Sequence, residues 1–456
     1  MITLFAFAGA VVLLVMFHEY GHYWVARRCG VKVLVFSLGF GKVIYRKRFA
    51  NSDTDWVISA IPLGGYVKML DEREGEVLPS ELHRAFNRKP VLQRMAIVVA
   101  GPLANFTLAI LLYCVLFMHG VEGLKPVLGD VPTGTPAAMA KMQKGETILG
   151  VEGETIPSWQ ELSWKLMMLS LQQDSQQKAQ VNVEAKDVRG TILHHSLDIN
   201  SLLVSDLNGE FLDKLGLHLE QPVILPVIGM LTDKGVARQS GLQAGDVILR
   251  VDGLPLKTWS DLVDVVHAHP GRTLKFDVQR GEMTLSLNVT PQAVAESGKM
   301  VGKIGAAPKV DQAAWQAMMT TVNYGPIGAL RKSVQKTWET SVVSLKMLAK
   351  MVMGEVPVKN LSGPVTIADY AGQSAHMGMI AYLGFLALIS ISLGVLNLLP
   401  VPLLDGGHLL YYVAELIKGS PVSERAWEYG QKIGIALLGT LMVLAFYNDI
   451  NRLISG

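Results

Sequence analysis

An apolar opening segment without a single charge, residues 1–17, most constrains this chain, because it runs directly into His18, Glu19 and His22. Such a segment belongs in hydrocarbon, and residues 2–25 span roughly 36 Å as a helix, which is enough to cross the bilayer core. An ionisable side chain near the bilayer centre costs at least about 2.5 to 3.5 kcal/mol, so its presence indicates a functional reason.

His18 and His22 lie four residues apart, which places both imidazoles on one helix face, about one turn from each other. Both can therefore point ring nitrogens at one ion, and Glu19 can reach a metal-bound water without binding the metal. The alternative is a pair of core histidines, but that interpretation gives no reason for the adjacent glutamate. The pattern predicts a zinc site with His18 and His22 as ligands and Glu19 as general base.

The composition is typical of a membrane protein with several domains. The chain has 456 residues, of which 50% are hydrophobic, and its mean hydropathy is +0.31. A net charge of +2, with no Gly-rich phosphate loop or Lys/Arg stripe, argues against a nucleic-acid partner. Only Cys29 and Cys114 are present, which excludes a disulfide framework and a cysteine-based zinc site. The N-terminus lacks a cleavable leader pattern, so we expect it to remain as an anchor in the lipid bilayer.

Four apolar runs predict four membrane crossings, at residues 2–25, 95–118, 380–399 and 433–446. Arg27, Arg28 and Lys32 follow the first run and nothing charged precedes it, so the positive-inside rule places the N-terminus outside. The histidines then lie toward the cytoplasmic side, while residues 121–308 and both termini lie outside.

The first two runs are joined by a segment of short strands. Residues 31–70 alternate in polarity and carry several glycines, a pattern of strands and tight turns rather than helix. Residues 61–68, which include Gly65 and Tyr66, either offer an open edge to which a substrate adds as a strand or form an ordinary hairpin.

The second run begins with small residues and carries one polar group. Gly101, Pro102 and Ala104 make its start narrow, which favours close packing of helices. Asn105 either bonds a neighbouring helix or acts at the site, and the residues leave both possibilities open.

The third run breaks at residues 397–408, which hold two prolines and two glycines. Irregular backbone at membrane depth is tolerated only around a buried or wet site. Asp405 lies in this break and is the predicted third zinc ligand, which leaves a fourth position for water. His408 is the alternative ligand, or a partner that supports the ligands.

Two segments between the second and third runs match at an offset of 100 residues. Residues 145–153 parallel residues 245–253, and Trp159 with Leu162 parallels Trp259 with Leu262. This indicates an internal duplication whose unit resembles a PDZ domain. The binding edges are expected near residues 215–219 and 302–306. Either these edges bind peptide termini by strand addition, or the pair acts as a steric screen.

Residues 328–353 place polar side chains at helical spacing among apolar ones. This predicts an amphipathic helix on the membrane surface, because the run is too interrupted to span.

Four features together resemble the site-2 protease family of intramembrane zinc metalloproteases, over nearly the whole chain. They are His18-Glu19-x-x-His22, Gly101-Pro102-x-x-Asn105, the PDZ-like tandem and Leu404-Asp405-Gly406. The resemblance implies zinc-dependent cleavage of single-pass proteins within the membrane, after a first cut by another protease, and removal of remnant signal peptides. The substrates would be of the anti-sigma factor type, in the sigma-E envelope stress response.

The resemblance also implies the inner membrane of a two-membraned bacterium, with the PDZ tandem in the periplasm. It assigns the binding of an unwound substrate to Asn397 and Tyr66, beside the edge at Gly65. Tyr20 stands where a phenylalanine is usual.

The predicted fold is a polytopic α-helical membrane protein with four transmembrane helices, a small membrane-associated β-sheet and two inserted periplasmic PDZ-like α+β domains. The predicted divisions are 1–26, first transmembrane helix; 27–92, cytoplasmic β region and loop; 93–119, second transmembrane helix; 121–220 and 221–309, PDZ-like domains; 310–375, surface helix and connector; 376–417, third transmembrane segment; 418–428, loop; and 429–449, fourth transmembrane helix. Two other classes stay open, a non-catalytic PDZ receptor and a zinc transporter.

Overall fold

The structure is a computed structural model and describes residues 2–50, 52–172, 180–200, 211–296, 299–357 and 362–455. Within these ranges four helices are long and apolar enough to cross a membrane: Ile2–Arg28, Val91–His119, Met379–Asn397 and Arg425–Arg452. They coincide with the four apolar runs, so the chain is a helical membrane protein, as predicted.

The α-helices of the described residues are, in chain order, α1 Ile2–Arg28, α2 Val91–His119, α3 Pro136–Met139, α4 Trp159–Gln172, α5 Phe211–Leu215, α6 Val236–Gln239, α7 Trp259–His267, α8 Gln312–Met318, α9 Pro326–Val352, α10 Pro364–Met377, α11 Met379–Asn397, α12 Asp405–Lys418 and α13 Glu424–Ser455.

The strands of the same residues are β1 Val33–Arg48, β2 Asp55–Met69, β3 Val121–Leu124, β4 Thr147–Val151, β5 Glu154–Thr155, β6 Gln180–Lys186, β7 Ile192–Asp198, β8 Ile228–Leu231, β9 Val247–Val251, β10 Leu254–Pro255, β11 Leu274–Arg280, β12 Met283–Val289, β13 Gln292–Glu296, β14 Lys299–Lys303, β15 Ala306–Pro308 and β16 Met319–Val322.

Helices α1, α2 and α11 pack around small residues. A methyl group on Gly21 of α1 would lie 2.3 Å from the carbonyl oxygen of Ala100 in α2, so the two backbones approach closely there. Ser390 of α11 donates a hydrogen bond of 2.7 Å to the backbone carbonyl of Asn105. These contacts fix the three helices that surround the site.

The break after α11 is shorter than the sequence predicts. Helix α11 ends at Asn397 and α12 already begins at Asp405, so Gly406 and Gly407 are helical rather than part of an irregular segment. Their lack of side chains serves packing, since a methyl group on Gly406 would lie 2.2 Å from the carbonyl oxygen of Leu399. The glycines thus let the chain fold back tightly and place Asp405 in the first turn of α12.

Strands β1 and β2 are long, and each pairs twice. Phe36 pairs with Val67 on one side and with Trp56 on the other, and Trp56 pairs in turn with Lys47. The sheet therefore consists of four adjacent strand segments, in the order 65–69, 33–38, 55–58 and 45–48. The bends at Gly39 and Gly64 have φ of 91° and 138°, which only glycine adopts without strain. Residues 65–69 form one edge of this sheet.

The two repeats have the same strand order, β5-β4-β6-β7 in the first and β10-β9-β11-β12 in the second. Leu162 and Leu262, which correspond at the offset of 100 residues, are both buried in the cores of their units. The topology supports the internal duplication.

The predicted binding edges of the repeats hold buried side chains. Leu217 and Ile304 are buried in the two cores. Residue Leu219 forms a bridge to Leu128, and β15 pairs along one side with β8.

The two ends of the tandem leave the helices together. Strands β3 and β16 pair antiparallel, with Leu124 opposite Met319. Strand β3 follows α2 and β16 precedes α9, so this two-stranded ribbon joins the tandem to the helices on both sides.

Helix α9 has contacts that its amphipathic pattern does not reveal. Its Ser333 and Thr337 are buried, whereas Trp338 on another face is 70% exposed. Lys332 of α9 lies 3.1 Å from Glu161 of α4, and Trp164 of α4 donates a hydrogen bond of 2.9 Å to Glu339. The helix therefore links the first repeat to the helices of the site.

Candidate metal centre

Helix α1 places the two predicted histidine ligands side by side. His18 and His22 lie one turn apart, and their Nε2 atoms are 3.2 Å from each other. Both side chains are largely shielded, at 13% and 11% exposed. The spacing of four residues thus brings the two ring nitrogens to one point, as the sequence predicts.

Asp405 meets this pair from the start of α12. Its Oδ2 atom lies 3.2 Å from His18 Nε2 and 3.5 Å from His22 Nε2. Of the described residues, only these three form a group of His, Cys, Asp or Glu side chains close enough to hold a metal ion. His408, the alternative ligand, lines the same cavity but does not join this group.

The three donors fit a zinc ion. A tetrahedral ion with bonds of about 2.0 Å separates its ligands by about 3.3 Å, close to the distances found here. Asp405 Oδ2 is buried and has no hydrogen-bond partner among the described groups. Such an orphaned oxygen between two imidazoles is costly unless a cation joins them. Two histidines and one carboxylate also leave a fourth position open, as catalytic zinc sites do.

Helix α2 supports the histidines from behind. His22 Nδ1 lies 2.8 Å from the carbonyl oxygen of Ile97 and donates to it, which leaves the Nε2 lone pair for a metal. Gly101 lies against both rings, because a methyl group there would be 2.3 Å from His22 Nε2 and 2.8 Å from His18 Cε1. Glycine at position 101 is therefore required for the rings to occupy these places.

Glu19 lies between the donors and the sheet edge. It lines the same cavity as the three donors, and a methyl group on Gly65 would lie 3.1 Å from Glu19 Cγ. Gly65 begins the edge segment 65–69, so Glu19 and the outer edge of the sheet are neighbours. Residues 65–69 pair with residues 33–38 on one side, so their other side is the outer edge of the sheet.

A cavity of about 880 Å³ contains this constellation. Tyr66 and Asn397, which the resemblance assigns to substrate binding, both line it. Tyr66 is 39% exposed, and its ring stacks on that of Phe40 with centroids 6.1 Å apart. The cavity thus brings together every side chain that the sequence assigned to the site.

The cavity also has walls that sequence analysis missed. Arg94 of α2 forms a two-pronged ion pair with Glu415 of α12, at 2.7 and 3.1 Å. These residues lie 321 positions apart, so no local pattern connects them. The pair ties α2 to the helix that carries Asp405.

Comparison with known proteins identifies the family to which the chain belongs. The family model "Peptidase family M50" matches residues 6–441. The chain is 42% identical over 451 residues to the regulator of sigma-E protease RseP of Salmonella typhimurium, covering 99% of both chains. It is 41% identical over 448 residues to RseP of Escherichia coli K12, covering 98% of both. It is 39% identical over 456 residues to a protein of Neisseria meningitidis serogroup A named as a zinc metalloprotease, covering 99% of both.

A solved PDZ domain, from the SdrC-like protein of Listeria innocua, covers 20% of this chain and 98% of its own, with 20% identity and a TM-score of 0.17. The family model and the relatives span nearly the whole chain, and three possible metal donors converge among the described residues. The chain therefore belongs to peptidase family M50 and is a zinc-dependent intramembrane metalloprotease of the kind that regulates sigma-E.

Proposed function

We propose that His18, His22 and Asp405 hold the zinc ion of this protease and that Glu19 is its general base. One observation carries the proposal: three largely shielded donors converge at 3.2 to 3.5 Å, beside a glutamate and the outer edge of the β1–β2 sheet. Zinc, when bound, would polarise the substrate carbonyl and make a water acidic enough to react near neutral pH.

The protein side chains then move the protons. Glu19 takes a proton from the attacking water and delivers it to the leaving amine, so one carboxylate acts first as base and then as acid. Because Glu19 lines the cavity beside the donors without belonging to the metal group, it is free for this role.

The substrate is proposed to bind as an added strand. A transmembrane helix hides its carbonyls in i to i−4 hydrogen bonds, so it must unwind before attack. Residues 65–69 present a free edge next to Glu19, and strand addition there would hold the unwound segment through its main chain. Gly65 allows close approach, while Tyr66 and Asn397, which line the same cavity, would contact the substrate.

The substrates proposed are transmembrane segments of single-pass proteins, of the anti-sigma factor type and already cut once, together with remnant signal peptides. Relatives named regulator of sigma-E protease support this class. The orientation proposed, in the inner membrane, has both termini and the tandem in the periplasm and the site toward the cytoplasm. Arg27 and Arg28 at the end of α1 support it through the positive-inside rule.

Residues 121–220 and 221–309 are proposed to be two PDZ-like domains that screen substrates by size. Both ends of the tandem pass through the β3–β16 ribbon at the end of α2, so the pair stands over one end of the helices. The side chains of Leu217 and Ile304 at the predicted edges are buried in the two cores and would not contact an added strand.

Replacing Asp405 by alanine is expected to remove zinc, because two histidines alone hold the ion poorly. Metal analysis of the purified full-length protein measures this. The matched control is His408→Ala, which changes the same cavity without touching the donor group and should retain zinc. Zinc retained in Asp405→Ala and lost in His408→Ala would reassign the third ligand to His408.

Removal of the tandem tests the screen. Residues 125–318 can be replaced by an Asn-Gly turn that joins Leu124 directly to Met319, because these two already pair across the ribbon. We expect this variant to cut substrates that retain a bulky outer domain, and to cut trimmed substrates about as the full chain does.

Cleavage of matched long and trimmed substrates in membranes provides the measurement. The same deletion combined with Glu19→Gln is the control, and should cut neither. Continued rejection of the long form, with slow cleavage of the trimmed form, would instead support a receptor for newly exposed chain termini.

A further inference from the structure

Each histidine ligand must present an unprotonated Nε2 to the metal. A neutral imidazole carries a single N–H, so the hydrogen must sit on Nδ1, and a hydrogen-bond acceptor must hold it there. His22 meets this requirement, because its Nδ1 faces the carbonyl oxygen of Ile97 at 2.8 Å. His18 needs an equivalent acceptor of its own.

The side chain that faces His18 Nδ1 is the amide of Asn105. Asn105 lies in α2 and is fully buried, and its Nδ2 is 3.3 Å from His18 Nδ1. Gly101 and Asn105 are four residues apart on α2, so the helix face that makes room for the rings also carries this amide. The amide is thus built into the wall behind the donors.

The orientation of the amide decides which nitrogen of His18 can bind zinc. With Nδ2 toward the ring, the amide donates to Nδ1, and the ring hydrogen is left on Nε2, facing Asp405. Asn105 Oδ1 is then buried without a partner, as the structure has it. A rotation of 180° exchanges the two amide atoms, whose assignment follows from the hydrogen-bond network.

After this rotation, Oδ1 accepts the Nδ1–H of His18, and the Nε2 lone pair is left for a metal ion. The rotation replaces an unbonded oxygen by an unbonded nitrogen, so its own cost is small. Only the rotated arrangement leaves the Nε2 lone pair of His18 available, so a bound zinc ion would favour it.

We propose that Asn105 is a positioning residue for zinc: its amide oxygen holds His18 in the metal-binding tautomer, as the Ile97 carbonyl holds His22. The inference rests on the proposed ligand set. Loss of such a supporting acceptor commonly weakens metal binding by about 10- to 100-fold.

The test compares zinc affinities of full-length variants in detergent, by competition with a chelator. Asn105→Leu removes the acceptor and should bind zinc about 10- to 100-fold more weakly. Asn105→Asp keeps an acceptor at the same place and should restore most of the affinity. The control is Ser390→Ala, which removes the bond to the Asn105 backbone but no contact with His18, and should bind zinc normally.

Absorption of the cobalt-substituted protein adds a readout that packing alone would not move, because it reports the ligand geometry. Wild-type affinity in Asn105→Leu, or equal losses in Asn105→Leu and Asn105→Asp, would overturn the inference. Should the leucine variant misfold, Asn105→Ala takes its place with the same expected loss. His18→Ala separates the two proposals, since full zinc in that variant would refute the ligand set itself.

Discussion

Substitution of Glu19 by glutamine is expected to lower cleavage by about 10²- to 10⁴-fold, the usual contribution of a general acid–base residue, while zinc content stays at the wild-type level. The amide preserves the shape of the side chain but cannot accept the proton of the water. Glu19 lies outside the group of three metal donors, so the substitution should not change zinc binding. Metal analysis and peptide cleavage on the same sample measure both effects.

Glu428→Gln is the matched control for Glu19→Gln, because it removes one negative charge from the wall of the same cavity without approaching the donors. It should leave cleavage within a few-fold of wild type. Full activity of Glu19→Gln with zinc bound would refute the assignment of Glu19 as the general base.

Adding a single methyl group at Gly101 is expected to disable the site by a different route. The Cβ atom of Gly101→Ala would lie 2.3 Å from His22 Nε2 and 2.6 Å from His22 Cε1, closer than real side chains approach. The ring or α2 must therefore move, and overpacking of this kind costs about 1–3 kcal/mol, or roughly 5- to 150-fold in zinc affinity.

Gly439→Ala serves as the control for Gly101→Ala, since position 439 is also helical and nothing lies within 4 Å of the added methyl group. It should keep full zinc affinity and stabilise its helix slightly, by about 1 kcal/mol or less. Chelator competition compares the two variants. Equal, undiminished affinity in both would mean that α2 does not pack against the histidines as described.

The parts of the site that sequence could predict are those with a local pattern. His18 and His22 carry the helical spacing of a metal pair, and Asp405 directly follows a break in an apolar run that prolines mark. Both patterns depend only on residues near each other in the chain, so their placement needs no knowledge of the fold.

Other features depend on contacts between residues that are far apart in the chain. Local sequence patterns do not predict such contacts. Arg94 meets Glu415 only because α2 and α12 pack, and the double pairing of β1 and β2 arises from bends at two glycines. Gly406 and Gly407 lie in α12 and not in the irregular break that the sequence predicts, because their close contact with the preceding segment outweighs their low helix propensity. The contact between α4 and α9 escaped prediction for the same reason.

The acceptor that holds the Nδ1–H of His22 is a main-chain carbonyl, that of Ile97, whereas the acceptor proposed for His18 is a side chain. The two histidines therefore differ in how mutations can affect their tautomers. A main-chain oxygen belongs to no particular side chain, so any residue that keeps α2 helical at position 97 still supplies the acceptor for His22 Nδ1. Genetic drift can therefore alter the side chain there, within the limits of core packing, without disturbing the tautomer of His22. The tautomer of His22 is therefore held by the backbone and does not depend on the identity of the side chain at position 97.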